Sequence, residues 1–132
     1  TLAGASLAIP TDDGRAKVLI FLAHWCGHCQ AEVPRVQAWI DAGSAPSNVD
    51  LYAISTSADA QRPNYPPAAW LARERWSVPT IADDGAGTLA RAAGLGAFPF
   101  FVFVHADGTV ARRTVGQLSI SEIEAILGTL RR

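Results

Sequence analysis

Val18-Leu19-Ile20-Phe21-Leu22-Ala23-His24-Trp25-Cys26-Gly27-His28-Cys29 decides the fold. The first half is a continuous apolar run, the pattern of a strand buried on both faces. The second half holds the only two cysteines of the chain. Beyond them, Cys29, Val33, Val36 and Ile40 recur at i, i+4, i+7 and i+11, one stripe of a helix expected over Cys26 to Asp41. A buried strand thus delivers two thiols to a helix start. There the unpaired N–H groups and the helix dipole favour an anion, and the thiolate is the form that attacks a disulfide. Cys26 is the candidate nucleophile. Cys29, about one turn on and facing inward, is the candidate resolving thiol. His28, when protonated, adds a stabilising positive charge. Gly27 keeps the turn uncrowded, and Trp25 shields and shapes the site. A bridge between the two cysteines would close a very short loop and stabilise little, so chemistry is its better explanation.

Working outward, Thr1 to Ala16 is polar and turn-rich, and Lys17 to Ala23 is the first strand. Pro34 is expected to kink the first helix, because it removes a donor and crowds the preceding turn. A second strand spans Val49 to Ser55, and Asp59 to Pro67 is a loop. A short helix covers Ala68 to Arg75, a short strand Val78 to Ala82, and a further helix Thr88 to Ala93, closed by Gly94 or Gly96. Phe100 to His105 and Val110 to Val115 form a hairpin around Asp107-Gly108. The last helix runs from Ser119 to Leu130, with Ser119 and Glu122 as a capping box and Ile120, Ile123, Leu127 and Leu130 as its apolar stripe. Early strand–helix alternation and a late hairpin imply an α/β fold, a mixed sheet with helices on both faces.

The chain has 132 residues, 49% hydrophobic and 17% charged, which suits one globular domain over 1–132. A net charge of −1 gives no argument for nucleic acid as partner. No apolar stretch approaches the roughly 20 residues of a membrane span. The sequence starts at Thr1 and holds no Met, so a signal or anchor is expected to have been removed.

Two cysteines with no second CxxC do not make a four-ligand zinc site. His24, Cys26, His28 and Cys29 could offer imidazole and thiolate to copper, but ligands this compressed rarely surround one ion, and no metal or cofactor is expected. His24 reads either as a source of positive potential or as a surface-loop residue. His105 reads as structural, and Trp39, Trp70 and Trp76 as packing. Glu32 reads as a solvated helix position within reach of Arg35. Pro63 to Pro67, with Tyr65, reads as an ordinary insertion, and Asp83-Asp84 as too isolated for a metal.

Trp25-Cys26-Gly27-His28-Cys29 resembles the active site of the thioredoxin superfamily, with the CGHC arrangement of protein disulfide isomerases. Pro34 falls where that family has its helix proline. Phe98-Pro99, before an apolar strand and hairpin, resembles the cis-proline loop. Cys29-Gln30-Ala31-Glu32-Val33-Pro34 resembles the CxxExP run of the TlpA/ResA group, bacterial proteins that are usually exported or membrane-tethered. The resemblance spans about Lys17 to Leu130. It implies a thioredoxin fold with an extra βα insertion before the cis-Pro loop. It gives Cys26 the attacking role, Cys29 the resolving role, Pro99 the cis-Pro role facing the cysteines, and Trp25 and Pro34 supporting roles. Two departures stand out. Ile20 occupies the place of thioredoxin's buried acid, and the bulky Phe98 precedes the expected cis-Pro.

The resulting expectation is an extracytoplasmic, monomeric thiol–disulfide oxidoreductase acting on protein thiols and disulfides, with a membrane redox partner as a further option. His28 between the cysteines favours oxidase or isomerase action, since it stabilises the reduced thiolate form. The TlpA/ResA resemblance favours a reductase, so direction is open. The alternative class is a copper-binding chaperone or redox-regulated adaptor on the same fold. A peroxidase fits less well, because Ala23 stands where related peroxidatic sites carry Thr or Ser.

Overall fold

A computed structural model describes residues 8–131. The expectations for Thr1 to Leu7 lie outside the described residues. The element order is β1 (Ala16–Leu22), α1 (Gly27–Asp41), β2 (Val49–Ser55), α2 (Pro67–Arg73), β3 (Thr80–Ala82), α3 (Thr88–Ala93), β4 (Phe100–Val104), β5 (Val110–Val115) and α4 (Ile120–Leu127). The sheet order is β3-β2-β1-β4-β5. The strands β1, β2 and β3 run parallel; β4 is antiparallel to both β1 and β5. This is the mixed sheet expected from the sequence, with β1 near its centre, which explains why β1 is apolar on both faces.

Alternation along β1 and β4 sends side chains to two layers. Val18, Ile20, Leu22, Phe101 and Phe103 pack with Cys29, Val33, Val36 and Trp39 of α1, Trp70 and Leu71 of α2, and Ile123, Ile126 and Leu127 of α4. Phe21, Ile54, Phe100 and Val102 pack with Ala90 of α3 on the other side. Helices therefore cover both faces, as the fold class requires. Between β2 and β4 the chain inserts α2, β3 and α3, with β3 extending the sheet beyond β2.

Several boundaries move. The first helix begins at Gly27 with Cys26 as its N-cap, and it continues through Pro34. Ile40, expected on the buried stripe, is only half-buried, because it lies near the helix end. In the second helix, Arg75 falls outside α2, at a φ of 55° that ends helical geometry. Gly94, at φ 78°, is the residue that closes α3. The last helix stops at Leu127; Leu130 leaves the helical stripe yet stays buried through the turn that follows. The Ser119–Glu122 capping box is present as expected. In the β4–β5 hairpin, Gly108 has φ 89°, and a Cβ there would meet the Thr11 carbonyl at 2.7 Å, so both backbone and space demand glycine.

Candidate active site

β1 ends at Leu22, and the chain turns through Ala23 to Trp25 into α1. The Cys26 N–H donates to the Ala23 carbonyl at 3.1 Å, which tightens the turn. Cys26 is itself the N-cap residue of α1, and no side chain caps the helix. Cys26 is half-buried and Cys29 fully buried, and both are free thiols. Gly27 and His28 are exposed between them. The two cysteines are thus unequal. Burial drives the Cys29 thiol well above its ordinary range; a backbone hydrogen bond at Ala23 opposes this, while Cys26 and the charge on Glu32 add to it. Cys29 is therefore protonated at neutral pH and must lose its proton to react.

Across from Cys26 stands the loop before β4. The Cys26 Sγ lies 4.0 Å from the Phe98 carbonyl oxygen. The Phe98–Pro99 peptide is cis, and Pro99 is buried. The Pro99 carbonyl accepts from the Gly116 N–H at 2.8 Å, which ties the loop to the end of β5. Trp25 meets Phe98 edge-on, with ring centroids 5.7 Å apart, and its indole N–H donates to the Ser57 carbonyl. The structure thus brings together Trp25, Cys26, Cys29, Phe98 and Pro99. Pro34 lies farther along α1, in its support.

Two residues differ from the sequence expectation. Glu32 is buried, not solvated. One carboxylate oxygen accepts from the Leu118 N–H at 2.6 Å and the other from Arg35, at 2.9 and 2.5 Å. It anchors α1 to the segment before α4 and puts a negative charge behind Cys29. Its i,i+3 spacing to Arg35 was visible in the sequence; its contact with Leu118 was not. His24 is fully buried, not on a surface loop. Its Nε2 accepts from the Asp59 N–H at 3.0 Å, so Nδ1 carries the proton and donates to the Pro63 carbonyl at 2.6 Å. Both ring nitrogens are engaged, which takes His24 out of any copper-ligating set. His105 is structural as read, accepting from the Arg131 N–H. Asp83 and Asp84 bond the first turn of α3.

The thiol pair at a helix start, one half-buried and one desolvated, beside a carbonyl that can pair with an incoming chain, is suited to thiol–disulfide exchange. Comparison with known proteins agrees. No curated protein matches the sequence. Among solved structures, a secreted Mycobacterium tuberculosis disulfide oxidoreductase homologous to E. coli DsbE is similar, at 26% identity and a TM-score of 0.76, over 98% of this chain and 92% of that one. StoA from Bacillus subtilis shares the fold at 18% identity and a TM-score of 0.71, over 86% and 83% of the two chains. A thiol-disulfide isomerase from Corynebacterium glutamicum shares it at 13% identity and a TM-score of 0.78, over 98% and 88%. Residues 4–127 match the Redoxin family, so the chain belongs to that family and is a thiol–disulfide oxidoreductase on a thioredoxin fold.

Proposed function

We propose that Cys26 is the attacking thiol and Cys29 the resolving thiol of a monomeric, single-domain enzyme that exchanges disulfides with proteins outside the cytoplasm. The placement of Cys26 carries this reading: half-buried at the N-cap of α1, 4.0 Å from the carbonyl that precedes Pro99. When the reduced protein meets a substrate disulfide, the Cys26 thiolate attacks one sulfur. A mixed disulfide forms and the other substrate sulfur leaves as a thiolate. Cys29 then gives up its proton and attacks the Cys26 sulfur. The Cys26–Cys29 disulfide forms, the second substrate thiolate leaves, and protons from the dithiol pass to the released thiolates. Substrate oxidation is the same sequence reversed. Phe98 offers its backbone carbonyl to the substrate chain, Trp25 walls the groove, and Gly27, His28 and Pro34 support the turn and helix.

The extracytoplasmic placement rests on the secreted M. tuberculosis relative. A membrane-bound redox protein is the partner that would restore the pair between turnovers. Insulin reduction and reduced-ribonuclease refolding test the assignment. Wild type should catalyse at least one; Cys26→Ser should fall to background; Cys29→Ser should accumulate the mixed disulfide. Wild type inactive in both, or activity surviving in Cys26→Ser, overturns it. Equilibration with glutathione then gives direction: a potential well below the glutathione poise means a reductase, one above it an oxidant.

A further inference from the structure

Beside Cys26 lies a feature that disulfide chemistry does not require. The guanidinium of Arg62 sits 3.7 Å from the centroid of the Trp25 ring. Arg62 is exposed, and among the described residues it forms no ion pair. Its charge is therefore available to a bound molecule. Its position is built, since residues 59–65 are held on the buried His24. The Asp59 N–H and the Pro63 carbonyl take the two ring nitrogens, Asn64 donates to the His24 carbonyl at 3.4 Å, and Tyr65 packs edge-on to the imidazole at 5.5 Å. Within the loop, the Arg62 N–H donates to the Asp59 carbonyl at 3.1 Å. His24 precedes Trp25 and Cys26 directly, so the same turn that presents the thiol also fixes the loop that carries the cation.

Geometry relates Arg62 to the groove. Arg62 lies over the Trp25 ring, and Phe98 meets the same ring edge-on. The Phe98 carbonyl borders Cys26. A chain whose cysteine reaches Cys26 alongside Phe98 therefore lies against Trp25, with residues flanking that cysteine within reach of a side chain as long as arginine. A flanking carboxylate would there meet the Arg62 guanidinium, and a flanking ammonium would be repelled by it. We propose that Arg62, parked on Trp25, selects protein disulfides whose reacting cysteine is flanked by an acidic residue. This rests on the oxidoreductase reading and names its substrate class.

Single-turnover reactions of the reduced protein test it with three synthetic peptide disulfides, identical except for Glu, Gln or Lys beside the cysteine. Wild type should react about threefold to tenfold faster with the Glu peptide than with the Lys peptide, the span expected of an exposed charge contact. Added salt should shrink that ratio. Arg62→Lys should keep the preference, Arg62→Gln should bring the ratio close to that at high salt, and Arg62→Glu should reverse it. The helix start also attracts anions, so the change between wild type and Arg62→Gln is the measure that isolates Arg62. Brisk reaction with the Gln peptide, with a Glu-to-Lys ratio that Arg62→Gln leaves unmoved, overturns the selection alone and assigns Arg62 to packing on Trp25. No reaction with any of the three overturns the oxidoreductase reading and the selection together.

Discussion

On one face of the sheet, Val18, Ile20, Leu22, Phe101 and Phe103 are buried under α1, α2 and α4. On the other, Leu19, Ile54 and Val102 border an apolar cavity of about 550 Å³ among the described residues, beside α3. The same strands supply both faces, so composition does not explain the contrast; the number of covering helices does. The difference matters to the chemistry because Cys29 belongs to the dense face. Dense packing desolvates its thiol, and it holds α1 against β1 so that Cys26 stays beside Phe98. The open face contributes no residue to the site. Its lining includes Lys17, whose ammonium is bonded to Asp13 and to the Arg15 carbonyl.

The same substitution on the two sides of one strand should separate the faces most strongly. Leu22→Ala, on the dense face, should destabilise by about 3–4 kcal/mol, the sum of lost transfer energy and an unrelaxed cavity. Leu19→Ala is already at a void and half-buried, so little new cavity forms; about 1–2 kcal/mol is expected. Urea unfolding of both variants reads the difference. Equal losses would mean that the two faces are equally well packed.

Adding volume should keep that order, with the dense face again the more sensitive. Ala53 is fully buried in the dense cluster, so Ala53→Leu should cost about 1–3 kcal/mol by overpacking. Ala93 lines the cavity, where a larger side chain has room. Ala93→Leu should lie within about 0.5 kcal/mol of wild type, or gain slightly, by thermal melting. A loss at Ala93 as large as that at Ala53 would refute the idea that the space is free.

The sequence made the dense face and the thiol pair readable, because both depend on local pattern: an unbroken apolar run, then a helical stripe that begins at a cysteine. The β4–β5 hairpin and the Ser119 cap were readable for the same reason. His24, Glu32 and Arg62 were not. His24 is defined by backbone groups of Asp59 and Pro63, Glu32 by the N–H of Leu118, and Arg62 by the ring of Trp25. Such partners are set by tertiary contact and leave no periodic trace, so a buried polar residue looks solvated until its distant partner is known. The approach of Phe98-Pro99 to Cys26 was expected only through the family resemblance, since the two lie on separate crossings of the sheet.

A smaller effect concerns how α3 is held on the open face. Asp83, just after β3, accepts hydrogen bonds from the Leu89 and Ala90 N–H groups of α3 and from the Thr56 hydroxyl at the end of β2. Burial pulls its carboxyl upward, but the Leu89, Thr56, Ala90 and Asp84 hydrogen bonds outweigh that and hold it below the ordinary carboxylate range. A depressed folded value means that the stabilisation is present above the unfolded value, near pH 4, and is lost as pH falls through the folded one. Asp83→Asn should lower stability at neutral pH by about 0.5–1 kcal/mol, the worth of a helix-terminus contact that is largely solvated. Below about pH 4 the gap between variant and wild type should close, because wild type then loses the charge as well. Amide exchange at Leu89 and Ala90 should rise in the variant more than exchange in α1, since only α3 depends on that carboxylate. An equal rise in both helices would show that the two faces open together and that the contrast between them is one of shape without consequence for local stability.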